Sequence, residues 1–286
     1  EMSEFDSLYR DQIDYQSKYR SVIDYFDAVK IALTATPALH TTEIFGKPIF
    51  MYSYREAVID GYLVDHDVPH RLKTKLSVEG IHYNPGDTVA IYDHVTGEIT
   101  NKELLDDELD FEIDNFNKEV INENFNREVL KEISNDIDAE NPKVQGKTLI
   151  YAVDDKHADL IVKILKEIYT AKGVDNDAIM KITGSIGDKR RIQEAIRRFK
   201  NERYPSVVVT VDLLTTGIDV PEITTLVFMR RIKSRILFEQ MLGRATRLCP
   251  KISKTHFEIY DPVGVYESLQ NVSDMKPVAA NASVTL

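Results

Sequence analysis

Two stretches in the C-terminal third of the chain carry residues that could act on a nucleotide together. One is Gln240-Met241-Leu242-Gly243-Arg244-Ala245-Thr246-Arg247, and the other, a little upstream, is Thr215-Thr216-Gly217-Ile218-Asp219-Val220-Pro221. Arg244 and Arg247 stand three apart, a spacing that puts both guanidiniums on nearly one face of a helix. Planar guanidinium donors match the charge that spreads over the γ-phosphate oxygens during phosphoryl transfer. Gln240 could support such a contact, and Gly243 leaves room for a phosphate. In the upstream stretch Gly217 permits a tight turn, and Asp219 can accept a hydrogen bond from a nucleotide sugar. The bland alternatives are two arginines paired with surface acids and an ordinary turn leaving a strand. The ordered pair weighs more than either stretch alone and suggests half of an ATP site.

Other candidates are weaker. Gly146-Lys147-Thr148 invites comparison with a phosphate loop, but that pattern needs a glycine where Asn141 stands, and it opens a helix rather than a strand. Neither a phosphate loop nor an acidic strand end of the Walker B kind is evident. Thr183-Gly184-Ser185 precedes a basic segment holding Lys189, Arg190, Arg191, Arg197 and Arg198. Small polar residues at a helix start can hold a phosphate on backbone N–H groups, or can simply cap the helix. Both readings stay open. Thr34-Ala35-Thr36-Pro37, taken alone, reads as a strand end. His66 and His70 have helical metal spacing, but Pro69 disfavours a helix and no third ligand is evident, so they read as ordinary histidines and no metal site is expected.

These residues need elements to hold them. Residues 16–30 read as a helix, Val29-Lys30-Ile31-Ala32-Leu33 as a buried strand, and Arg55 to Asp60 as a short helix closed by Gly61. From Leu72 the chain looks β-rich, with Leu72 to Leu76 alternating and turns at Asn84-Pro85-Gly86-Asp87 and Thr96-Gly97. Residues 103–140 are acidic, partly helical, and read as an insertion or linker ending at Asn141-Pro142. Beyond lie buried strands at 148–153, 207–211 and 226–229, with a weaker one at 257–260. Ile161, Ile164, Leu165 and Ile168 form one helical apolar face, as do Ile192, Ala195, Ile196 and Phe199. Alternating buried strands and amphipathic helices predict an α/β fold with a parallel sheet. Its ligand loops are expected at the carboxyl ends of the strands.

Composition limits the partners. The formal net charge is −11, yet it is unevenly spread. Residues 101–140 hold 14 acidic and 4 basic side chains, whereas 181–260 hold 16 basic and 8 acidic. The basic region can attract a polyanion whatever the total, although solvated helix faces would give the same count. No run approaches the ~20 apolar residues of a membrane helix, and residues 1–10 carry no apolar signal core. One cysteine, Cys249, leaves no internal disulfide or cysteine zinc site and fits a cytoplasmic location.

In order along the chain, LTATP, TGIDVP and QMLGRATR resemble motifs III, V and VI of superfamily 2 helicases and translocases. Residues 38–69, with SYREAVIDGYLVDH at their centre, and RRIKSRILFEQMLGRATRLC resemble the motor (R) subunit of type I restriction enzymes. The resemblance covers most of the chain and is weakest over 85–141. It implies a RecA-like parallel sheet flanked by helices, with a β and acidic helical insertion at about 85–141. Residues 1–44 would be the tail of a first motor lobe and 45–286 the second lobe. The nuclease domain and the Walker A and B motifs would lie elsewhere, so the chain alone is not expected to turn over ATP.

The same resemblance implies that Arg244 and Arg247 reach the γ-phosphate, supported by Gln240, with Gly217, Asp219 and Gly243 at the nucleotide. ATP and Mg2+ would be bound mainly by the first lobe. Thr34 and Thr36 would couple nucleotide state to lobe closure, while Thr183, Gly184, Thr210 and Arg190 would meet the DNA. The implied partners are double-stranded DNA and the methyltransferase and specificity subunits, with no membrane. Three positions depart from the wider superfamily. Val211 stands where many relatives have Thr, Thr216 where many have Arg, and Ala245 where Gly is frequent. Two other functions remain: a non-catalytic α/β module binding nucleic acid or protein, and a strand-separating helicase.

Overall fold

The computed structural model describes residues 20–35, 42, 44–70, 81–83, 89–92, 99–102, 109–111, 123–211 and 219–278. Their contacts fall into two units, Glu1–Tyr52 and Ser53–Leu286. In the first, residues 20–25 are helical, but the predicted strand at Val29–Leu33 is absent. Val29, Ile31 and Leu33 are 91%, 83% and 95% exposed, and no described strand pairs with them. A strand needs a neighbouring ladder to satisfy its backbone, which apolar side chains alone do not supply.

The second unit opens with α1 (Tyr54–Ile59), capped by Ser53 in a reciprocal bond with Glu56 and closed before Gly61 at φ +73°. A six-stranded sheet follows, built from β1 (Asp65–His66), β6 (Lys147–Tyr151), β7 (Ile179–Lys181), β8 (Val207–Thr210), β9 (Ile223–Phe228) and β10 (His256–Tyr260). Its order is β1-β10-β9-β6-β8-β7, and every pairing is parallel. Between these lie two antiparallel pairs: β2 (Ile81–Tyr83) with β5 (Leu109–Phe111), and β3 (Val89–Tyr92) with β4 (Ile99–Lys102). The alternating stretch Leu72–Leu76 and both predicted turns lie outside the described residues.

The helices follow from their sequence periods. Asp154 caps α4 (Asp155–Ala171), which buries Ile161, Ile164 and Leu165 against the sheet. Asp188 caps α5 (Lys189–Asn201), which buries Ala195 and Phe199. Ser234 caps α6 (Arg235–Leu242). The acidic segment, expected to be partly helical and an insertion or linker, contains α2 (Glu123–Asp136), which buries Phe125, Val129, Leu130 and Ile133 in the core and joins α4 through Arg127–Glu167 at 2.7 Å. Its apolar positions recur at i, i+4, i+5 and i+8, a stripe that the surrounding acids obscure. A short α3 (Pro142–Gln145) leads into β6, and α7 (Val265–Leu269) follows β10. Among the described residues no helix is long and apolar enough to cross a membrane.

Candidate nucleotide-contact site

In a parallel sheet each connection must return from the carboxyl end of one strand to the amino end of the next. The segment from β8 to β9 makes that journey, so Asp219, four residues before β9, arrives at the amino edge. Lys200, at the end of α5, and Arg247, after α6, reach the same edge for the same reason. Nucleotide-contact residues were expected at the carboxyl ends. The described ones instead gather at the opposite edge.

There the two motif stretches meet. Arg247 Nε donates to Asp219 Oδ1 at 3.1 Å, and Lys200 Nζ donates to Asp219 Oδ2 at 3.0 Å. The Lys200 bond first, and then the Arg247 charge, hold the Asp219 carboxyl below its usual range. Arg244 lies half-buried, its Nε donating to the Gln240 carbonyl at 3.3 Å. Burial, with the nearby Arg247 charge, lowers the pKa of Arg244. Gly217 lies outside the described residues.

The two arginines do not share a helix face. The helix ends at Leu242, Gly243 caps it, Arg244 falls in a turn, and Arg247 forms a bridge with Leu63. The cause is competition for the last carbonyls. Val64 N–H donates to the Thr246 carbonyl at 2.8 Å, and Lys254 Nζ donates to the Ala245 carbonyl at 2.6 Å, drawing both out of helical pairing.

Lys254 is buried, and its ammonium also donates to the carbonyls of Pro221, at 3.2 Å, and Ile223. Burial, together with the Arg247 charge, brings its pKa down to about 7. Lys147 has a parallel role. It is fully buried, and its ammonium binds the carbonyls of Phe199, Glu202 and Pro205 at 2.5, 2.7 and 3.1 Å, capping the end of α5. Burial lowers its pKa to about 8. Gly146 before it has φ +85°, and an added Cβ would stand 2.4 Å from Thr224 and 2.7 Å from the Glu222 carbonyl. The Gly-Lys-Thr triplet is therefore a packing device.

The residues assigned to DNA lie at the carboxyl edge. Thr183 follows β7, and its hydroxyl and that of Ser185 both donate to Asp155 Oδ1 at 2.5 Å. Lys181 binds Asp155 and Asp159 at 2.8 and 2.7 Å. Partial burial works against ionisation of Asp155, but the bonds from Lys181, Ser185 and Thr183 hold its carboxyl at about 2. Thr183 does not begin the basic helix. Asp188 does, accepting from Arg191 N–H at 2.9 Å, so a carboxylate occupies the anion position there. Gly184 and Arg190 are exposed, whereas Thr210 is enclosed and its hydroxyl has no partner among the described residues. Thr34 lies in the first unit, and Thr36 lies outside the described residues.

Of the residues that matter here, Lys200, Lys254 and Asp155 escaped the sequence reading. Each reads locally as a solvated charge, and nothing in its neighbours signals otherwise.

Comparison with known proteins accords with this geometry. Residues 126–249 match the helicase conserved C-terminal domain. The whole chain is 47% identical over 289 residues to the EcoKI endonuclease subunit of Escherichia coli K12, spanning 24% of that protein. It is 28% identical over 264 residues to the Escherichia coli EcoAI endonuclease subunit, covering 90% of this chain and 30% of that protein. In fold it resembles a fragment structure of an HsdR subunit of a type I restriction enzyme from Vibrio vulnificus YJ016, with TM-score 0.64, 24% identity, and coverage of 91% of this chain and 45% of that one. The chain thus spans about a quarter to a third of the curated relatives it matches. Its parallel sheet includes the stretch that matches the helicase C-terminal domain, and the chain is similar from end to end to a segment of type I restriction endonuclease subunits.

Proposed function

We propose that this chain provides the second motor lobe of an ATP-driven double-stranded DNA translocase within a type I restriction endonuclease subunit. The observation that carries the reading is the Arg247–Asp219 contact of 3.1 Å, which joins two sequence-distant motif stretches at one edge of the sheet. Two guanidiniums and one carboxylate kept ionised suit the two ends of a nucleoside triphosphate. The guanidiniums suit developing phosphate charge, and the carboxylate suits a sugar hydroxyl.

In this reading ATP and Mg2+ are bound mainly by a first lobe, of which residues 1–44 are the tail. ATP bound there would be the substrate whose hydrolysis drives movement. Arg244 and Arg247, supported by Gln240 and with Gly243 and Gly217 leaving space, bind and orient the triphosphate from the second lobe. Thr34 and Thr36 couple nucleotide state to closure. Duplex DNA lies at the carboxyl edge, against the Gly184 backbone, the exposed Arg190, Thr183 held by Asp155, and Thr210. The methyltransferase and specificity subunits complete the cytoplasmic complex.

The five residues of β6 separate the two edges by roughly 15 Å. Nucleotide and DNA contacts should therefore be separable by mutation. In the full-length subunit Arg247→Ala should lower DNA-stimulated ATP turnover by roughly 10³ to 10⁵ while DNA affinity stays near wild type. Wild-type turnover in that variant would refute the assignment.

A further inference from the structure

We propose that Lys254 is a positioning residue for the nucleotide-facing arginine. The inference rests on the motor reading above and adds the element that sets the geometry of its site. The ammonium of Lys254 can accept no hydrogen bond and donates three, one to each of three carbonyls. Two of those carbonyls, Pro221 and Ile223, lie on the segment that leads from Asp219 into β9. The third, Ala245, sits between Arg244 and Arg247. One buried cation thus fastens the two loops whose side chains meet in the Arg247–Asp219 pair.

The backbone–backbone bonds of the Arg244–Arg247 turn run to its own helix and to Val64, and those of the 220–223 turn run to Lys147 and within the turn. Lys200 binds Asp219 only through its exposed carboxylate, where solvent weakens the pair. The lysine is itself placed by the Cys249–Lys254 bridge and by the 3-10 turn Pro250–Ile252, which ends at Ser253 in the left-handed region at φ 52°. The chain doubles back here and sends the lysine beneath its own arginine loop.

A merely structural lysine would affect how much protein folds. A positioning lysine would affect how fast the folded protein works. Catalytic geometry is sensitive: a displacement of about 1 Å can cost about 10² in rate. The test compares Lys254→Met, Lys254→Ala and Arg247→Ala in the full-length subunit, below the melting temperature of each. It measures DNA affinity, KM for ATP and DNA-stimulated kcat, the alanine variant with and without n-propylamine.

Loss of about 10² in kcat, with KM and DNA affinity within about twofold, is the expected pattern for both Lys254 variants. Propylamine, entering the space left by the side chain, should restore turnover to Lys254→Ala and not to Lys254→Met. Wild-type kcat in either folded variant overturns the proposal, as does a variant that unfolds without amine rescue, because the role is then structural. If Arg247→Ala keeps wild-type turnover, the motor assignment of Arg247 fails instead. If Arg247→Ala is inactive while both Lys254 variants are active, only the present inference fails.

Discussion

Replacing Lys147 by methionine separates a packing lysine from a phosphate-binding one. Methionine keeps most of the side-chain volume but removes the charge that holds the carbonyls of Phe199, Glu202 and Pro205. The Phe199 and Pro205 bonds are buried, so those two carbonyls lose their donor with little access to water. An unsatisfied buried carbonyl costs about 1 to 3 kcal/mol, or roughly 2 to 6 kcal/mol for the pair. Removing the ammonium also relieves its desolvation. A pKa lowered from 10.5 to about 8 makes that relief about 3 kcal/mol at neutral pH. Because both carbonyls are sealed from water, the upper half of that range applies, about 4 to 6 kcal/mol, and the net loss is about 1 to 3 kcal/mol. With a urea slope of about 3 kcal/mol/M for a protein of this size, the midpoint should fall by about 0.3 to 1 M. Urea unfolding of the chain measures this, and KM for ATP in the full-length subunit should not change. An unaltered midpoint together with a raised KM would restore the phosphate-loop reading and refute the reasoning.

Phe125→Ala should destabilise the chain by about 3 to 5 kcal/mol, because the ring is fully buried between α2 and α4; a loss under about 0.5 kcal/mol in urea unfolding would mean that α2 is the linker its acidity suggested. His157 should make stability fall as pH drops from 7 to 5. It is neutral in the fold, Nδ1 accepting from Val153 N–H at 3.1 Å and Nε2 facing Asn126 Oδ1 at 2.9 Å, and burial lowers its pKa to about 4. The unfolded state takes up a proton near the ordinary histidine value of 6.5 and the folded state does not, so unfolding becomes easier below 6.5 by about 2 kcal/mol at pH 5. His157→Gln should remove that slope in urea titrations at the two pH values, and an identical slope in the variant would exclude His157 as its source.

Periodicity was sufficient for much of the second lobe. The apolar face of α4, the face of α5 ending in Phe199, and the continuous runs of β6, β8 and β9 were readable because each depends on residues within a few positions of one another. β7 was missed because three residues with one buried side chain leave no pattern. The strand expected at 29–33 failed for the opposite reason: the pattern was present, and a pairing partner among the described residues was not. Part of the acidic segment was read as helical, but the burial of α2 was not, since a count of charges ignores which face they occupy.

The motif stretches were visible from residue types, and so was their pairing in order along the chain. Their side of the sheet was not, because the edge on which a loop emerges depends on the parallel direction of every strand. The end of α6 was equally hidden. It depends on Val64 and Lys254 taking the carbonyls of Thr246 and Ala245, and those donors lie far away or beyond a turn. Lys147 and Lys254 make the same point most simply. A lysine looks soluble in a sequence, and only the convergence of three carbonyls distant from it or beyond a turn makes its burial tolerable.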